Sequence, residues 1–179
     1  FLWGDGSVAV TNAHVVGEAD EVRLVDRHGA EELALVIARD VARDVAVLSV
    51  APGRAGLELA AGVPGLGDEV FALGAPLGLE FTLTEGRISS TARQVDLTVP
   101  LRLLQHDAAV NPGSSGGPLV DAEGRLLGMN SQIADGSRMF VGIAYAIPAP
   151  DLARIVDGLI EETLPAFPDL GMQARPVDR

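Results

Sequence analysis

Asn111-Pro-Gly-Ser-Ser-Gly-Gly-Pro118 sets two hydroxyls among three glycines. Gly113, Gly116 and Gly117 admit backbone angles closed to other residues and let a ligand lie directly against the main chain. Acyl transfer needs donors aimed at the oxygen that becomes negative in the tetrahedral intermediate. A tight turn of this kind can point the N–H groups of Gly113 and Ser115 at one spot, so these two are read as an oxyanion hole. Taken alone, a loop of this composition is equally well a plain connection between strands. A serine hydroxyl is a weak nucleophile until an imidazole takes its proton and a third group orients that imidazole.

The chain holds three histidines. His14 follows an apolar strand in Val10-Thr-Asn-Ala-His-Val-Val16, where a strand end can hold the ring rigidly. His28 lies in a polar turn and is read as solvated. His106, in Gln105-His106-Asp107, stands nine positions before Ser115 and stays open as a competitor. For the orienting acid, Arg39-Asp40-Val-Ala-Arg-Asp44 offers two carboxylates ahead of the apolar run Val45-Ala-Val-Leu-Ser-Val50. Asp44 abuts that run and Asp40 is the fallback. The order His14, Asp44, Ser115 is the chymotrypsin order, distinct from those of subtilisin and the α/β-hydrolases.

The rest of the chain reads as all-β. Short runs rich in Val, Ile, Leu and Thr are punctuated by Asp5-Gly6, His28-Gly29, Pro52-Gly53, Gly65-Leu66-Gly67, Gly74-Ala75-Pro76, Glu123-Gly124 and Asp135-Gly136, a spacing that favours a barrel or sandwich. Strands are expected at Val8–Thr11, Glu21–Val25, Glu32–Arg39, Val45–Val50, Glu69–Leu73, Phe81–Ser89, Leu103–Gln105, Pro118–Val120, Leu126–Ser131 and Val141–Ala146. From Asp151 the apolar Leu152, Ile155, Val156, Leu159 and Ile160 recur at helical spacing behind Pro148 and Pro150, predicting one amphipathic helix over about 151–163. The stretch Leu164-Pro165-Ala166-Phe167-Pro168 reads as a stiff linker.

Composition narrows the function classes. With no cysteine, thiol nucleophiles and Cys-based metal sites are excluded. A net charge of −12 without any basic run repels a phosphate backbone, so no nucleic acid partner is expected. No cofactor or metal is called for.

Together these segments resemble the HtrA (Deg-type) branch of trypsin-like serine proteases. The family histidine sits in T-N-x-H-V-V, like Thr11–Val16; its aspartate precedes D-[LV]-A-[VL]-L, like Asp44–Leu48; its serine lies in D-A-A-[IV]-N-x-G-[NS]-S-G-G-P-L, like Asp107–Leu119. Gly74-Ala-Pro-Leu-Gly78, Gly86-Arg-Ile-Ser89 and Gly142-Ile-Ala-Tyr-Ala-Ile-Pro148 match further segments. His106 stands where the family usually has Thr, and Ser114 replaces a commoner Asn.

The resemblance implies an all-β, chymotrypsin-like double β-barrel with one C-terminal α-helix. A protease domain would span 1–164, with barrels at about 1–76 and 79–148 and the cleft between them. It implies His14, Asp44 and Ser115 as triad, Ser115 rather than Ser114 being the nucleophile. Ala109, six positions before Ser115, is implied as the base of the S1 pocket, with Val110 and Ile133 lining it. Ile133 reads equally well as ordinary core. Such a pocket favours small or medium aliphatic P1 residues, hence unfolded or damaged polypeptides as substrates and a role in protein quality control. Family members carry a glycine-rich segment and a strand before the position of Phe1, so an incomplete first barrel is expected. Homotrimers, a PDZ domain beginning near Leu170-Gly-Met-Gln173, and a periplasmic or extracytoplasmic setting also follow from the family alone. A non-proteolytic peptide-binding or chaperone-like domain on the same fold is the alternative.

Overall fold

The computed structural model describes residues 1–75, 81–95, 101–131 and 141–165. Within them the β-rich sequence forms eleven strands and two helices: β1 (Leu2–Trp3), β2 (Val8–Thr11), α1 (Ala13–Val16), β3 (Glu21–Val25), β4 (Glu31–Asp40), β5 (Val45–Ser49), β6 (Glu69–Gly74), β7 (Thr82–Arg93), β8 (Leu103–His106), β9 (Pro118–Val120), β10 (Leu126–Asn130), β11 (Ala144–Pro148) and α2 (Ala149–Ile160). The first five strands make a sheet in the order β1-β2-β5-β4-β3, and the other six close a barrel in the order β10-β11-β8-β7-β6-β9. This is the chymotrypsin-like two-lobed architecture. Ile133, the end of the lobe junction from Pro76, and the expected linker and PDZ start beyond Pro165 lie outside the described residues.

Three of the expected elements shift an end by more than one residue, and the short β1 and α1 were not expected at all. The strand expected from Val141 begins only at Ala144, because Gly142 takes a left-handed turn at φ 87°. The long strand β7 runs on to Arg93 because two register shifts against β8 let it bend around the barrel instead of ending at Ser89. Helix α2 starts two residues earlier than expected and ends at Ile160. Pro148 stands at its N-cap and Pro150 in its first turn, where a missing N–H costs nothing. Beyond Ile160, Glu162 turns left-handed at φ 56°, and the N–H groups of Thr163 and Leu164 both fold back onto the Gly158 carbonyl.

The central strand β5 explains how the lobes join. Val45 and Val47 face a core shared with Trp3 and Val10 of the first lobe, Leu126, Met129 and Ile147 of the second, and Leu152, Ile155 and Val156 of α2. Ala46 and Leu48 face the first lobe's own core with Ala9, Val16 and Ala34. A strand buried on both faces reads as the continuous apolar run seen in the sequence. Helix α2 thus packs its apolar stripe into the seam between the lobes. Ile155 is fully buried there, so Ile155→Ala is expected to destabilise the chain by about 2–5 kcal/mol in urea unfolding.

His106 occupies the second barrel's interior, fully buried, and neither ring nitrogen has a well-formed hydrogen bond. Burial pushes the imidazole down from 6.5 to about 4; the neighbouring Asn130 side chain and the charge of Asp107 pull the other way without offsetting it. The folded chain therefore holds a neutral ring while the unfolded chain protonates near 6.5. Stability is whole above pH 6.5 and is lost as pH falls from there towards 4, a loss on the order of 3 kcal/mol. His106→Thr is expected to flatten that stretch of the stability–pH curve, read by chemical denaturation at pH 7, 5.5 and 4.5.

Candidate active site

His14 sits on the single turn α1 at the end of β2. Ala13 and Val16 are buried beneath it, so the same turn directs His14 outward. Asn12, the N-cap, does not cap the turn with its side chain. It is buried, and its Nδ2 donates instead to the main-chain carbonyl of Asp44 at 2.9 Å.

Asp44 closes the turn between β4 and β5 with φ 56°, a left-handed conformation that Asp tolerates better than most side chains. Its carboxylate faces the histidine: Nδ1 lies 2.9 Å from both Oδ1 and Oδ2, and the His14 main-chain N–H donates to Oδ1 at 3.0 Å. A carboxylate can only accept here, so Nδ1 carries the proton and Nε2 is left as the ring's acceptor. The pair is part-exposed, 34% for His14 and 26% for Asp44. A fourth bond comes from the other lobe: Ser131, just past β10, donates from Oγ to Asp44 Oδ2 at 3.1 Å. Sequence reading missed Ser131; a serine at a strand end carries no local signal.

The competitors are placed elsewhere. Asp40 is turned to Arg43, with which it forms a buried ion pair. His106 is enclosed in the second barrel, and His28 stays in its exposed hairpin turn, where its main-chain N–H donates to Asp26.

The Gly-Ser loop spans the gap between β8 and β9. Ser114 is buried, its Oγ accepting from the Asn111 N–H at 3.2 Å and its N–H donating to the Asn111 carbonyl at 2.8 Å. Ser115, by contrast, is half-buried. The loop is tied to the second barrel by Gly116 N–H to Asn130 O at 3.0 Å, Asn130 N–H to Gly117 O at 2.9 Å, and Ala75 N–H to Gly113 O at 3.2 Å. Gly116 also abuts the first lobe: with φ 77°, a Cβ there would come within 2.1 Å of Thr11 Oγ1. The residue after Ser115 thus touches the strand end that leads into His14.

Of the predicted S1 residues, Ala109 is half-buried and its carbonyl accepts from Thr84 Oγ1 at 2.7 Å. Val110 is 2% exposed and belongs to the second barrel's core. Among the described residues no group of three or more His, Asp or Glu is placed to hold a metal.

Two β lobes with a paired histidine and aspartate on one, and a glycine-flanked serine on the other, define the chymotrypsin class of domain. The family model for the trypsin-like peptidase domain matches residues 1–129, and the chain belongs to that family. It is 36% identical to "Protease Do-like 1, chloroplastic" of Arabidopsis thaliana over 98% of its own length and 42% of the relative. To the "Probable periplasmic serine endoprotease DegP-like" of Brucella suis it is 37% identical over its full length and 36% of the relative. Among solved structures, the HtrA-type protease AlgW with tripeptide superposes with a TM-score of 0.84 at 36% identity, covering 90% of this chain and 55% of that one. The chain is thus similar to the HtrA branch along nearly all its length, and spans less than half of these curated relatives.

The tight approach at Gly116 predicts that Gly116→Ala, which adds a methyl against Thr11 at a left-handed backbone position, lowers stability by about 1–3 kcal/mol in denaturant titration.

Proposed function

We propose that this chain is the peptidase domain of a serine endopeptidase that cleaves polypeptides through an acyl-enzyme, with His14, Asp44 and Ser115 as its triad. The observation that carries this is the double contact of the Asp44 carboxylate with His14 Nδ1, which fixes the tautomer a general base needs.

In this reading, Nε2 of His14 takes the proton from Ser115 Oγ as the oxygen attacks a peptide carbonyl. The imidazolium so formed is stabilised by Asp44 and returns the proton to the leaving amine. Water, activated by the same ring, then attacks the ester and frees the serine. The N–H groups of Gly113 and Ser115 receive the oxyanion. The φ of 103° at Gly113 lies in a region that favours glycine, which accounts for the residue type at that position.

Ala109, Val110 and Ile133 are assigned to the S1 pocket in this proposal, on the family resemblance. No charge there awaits a basic side chain, so small or medium aliphatic P1 residues are preferred. Side chains of that kind are buried in folded proteins, which makes unfolded or damaged chains the substrates and protein quality control the role. The names of the bacterial relatives support an extracytoplasmic setting. That the whole protein continues into a PDZ domain and assembles as a homotrimer belongs to the same proposal and rests on the family resemblance.

Ser115→Ala tests the assignment. Casein cleavage is expected to fall by about 10⁴- to 10⁶-fold with the unfolding midpoint unchanged. Cleavage retained at the level of the unmodified chain would reject Ser115 as nucleophile.

A further inference from the structure

Asp44 owes its orientation to the turn that carries it, and that turn is locked by an ion pair no triad step uses. Arg43, one residue before Asp44, donates its main-chain N–H to Asp40 Oδ1 at 2.9 Å, and its Nη1 pairs with Asp40 Oδ2. The two side chains are only 9% and 10% exposed. The other arm of the guanidinium, Nη2, donates to the main-chain carbonyl of Pro165 at 3.1 Å, 122 residues further along. Pro165 lies just beyond the reversal at Glu162, where the chain leaves α2.

Burying two charges is expensive, and well-packed apolar residues often serve stability as well or better. What an ion pair in a turn supplies is geometry. The planar fork of arginine has two fixed directions of donation, here to the first residue of the turn and to a carbonyl on a distant segment. Asn12 holds the same turn from the opposite end through the Asp44 carbonyl.

We propose that Arg43 is a positioning residue for the reaction: by bridging Asp40 and the Pro165 carbonyl it sets the 40–44 turn so that the Asp44 carboxylate faces His14 Nδ1, and it ties that alignment to the segment leaving α2. This rests on the triad reading above. Misplacing an orienting group by a fraction of an ångström acts on the chemical step and leaves peptide binding alone.

Two variants test the bridge. Arg43→Lys keeps a cation for Asp40 but loses the second arm to Pro165. The double variant Arg43→Met with Asp40→Asn removes both charges together, so that no carboxylate is stranded, and keeps the Oδ1 acceptor for the main chain. Each is assayed for steady-state cleavage of a short peptide with Val at P1 and for the downfield NMR signal of the His14 Nδ1 proton. In both, kcat is expected to fall about 10- to 100-fold at unchanged KM, and the Nδ1 proton signal to shift or broaden. A signal that stays as in the unmodified chain in Arg43→Lys, or a loss confined to KM, overturns the proposal. Should the double variant fail to fold, Arg43→Lys alone decides. The NMR arm is repeated in Ser115→Ala, where it reports on the His14–Asp44 alignment whether or not Ser115 is the nucleophile, so failure of the triad reading and failure of the Arg43 proposal are told apart.

Discussion

The Asp44 carboxylate is where the two halves of this protein meet in chemistry. It accepts from His14 twice, through the ring and through the main chain, and from Ser131 across the lobe boundary. Its own carbonyl is held by Asn12. Each of these bonds depends on a backbone that turns left-handed at Asp44 and then enters β5 at once. Were the turn free to relax to an ordinary conformation, the carboxylate would point elsewhere and the imidazole would lose both its tautomer and its orientation.

That turn stays in place because the strand behind it cannot move. β5 is buried on both faces, one against the first lobe's core and the other against the seam filled by α2. Close-packed interiors resist small displacements, so a residue at the end of such a strand inherits its rigidity. The seam also fixes the second lobe, since Leu126, Met129 and Ile147 share it. β10 ends at Asn130, which grips the Gly-Ser loop, and the chain passes directly to Ser131, which reaches Asp44. Apolar packing at the seam and polar contacts at the cleft are consecutive stretches of the same strands.

Much of this was legible in the sequence because the decisive segments are local. The T-N-x-H segment, the Asp before an apolar run and the glycine-flanked serine each declare a chemistry within a few residues. Long-range partnerships were not legible. Asp44 is preferred over Asp40 because it abuts the apolar run; that Asp40 would be paired with Arg43 was not legible. Ser131 looks like any serine at a strand end until the lobes close over Asp44. Closure of the second barrel rests on pairings such as β6 with β9, almost fifty residues apart in the chain, that no periodicity encodes. The two residues of β1 are too few to show an alternation, and the end of α2 was misplaced because Leu164 continues the apolar pattern while its N–H folds back to Gly158.

Among the described residues, Asn12, His106 and Asn130 each bury a polar side-chain atom without a well-formed hydrogen bond, although the Asn130 side chain lies close enough to the His106 ring to favour its charged form. Asn12 stands two positions before His14, Asn130 immediately before Ser131, and His106 on the strand that leads into the Gly-Ser loop. An unpartnered buried polar atom typically lowers stability by about 1–3 kcal/mol, so a chain selected for stability alone would place apolar residues at such positions. All three lie on segments that lead into the cleft. Asn12 illustrates the exchange directly: its Nδ2 aligns the Asp44 turn while its Oδ1 goes unsatisfied. The same logic holds for Arg43 and Asp40, a buried pair of charges whose net contribution to stability is small but whose geometry the cleft requires.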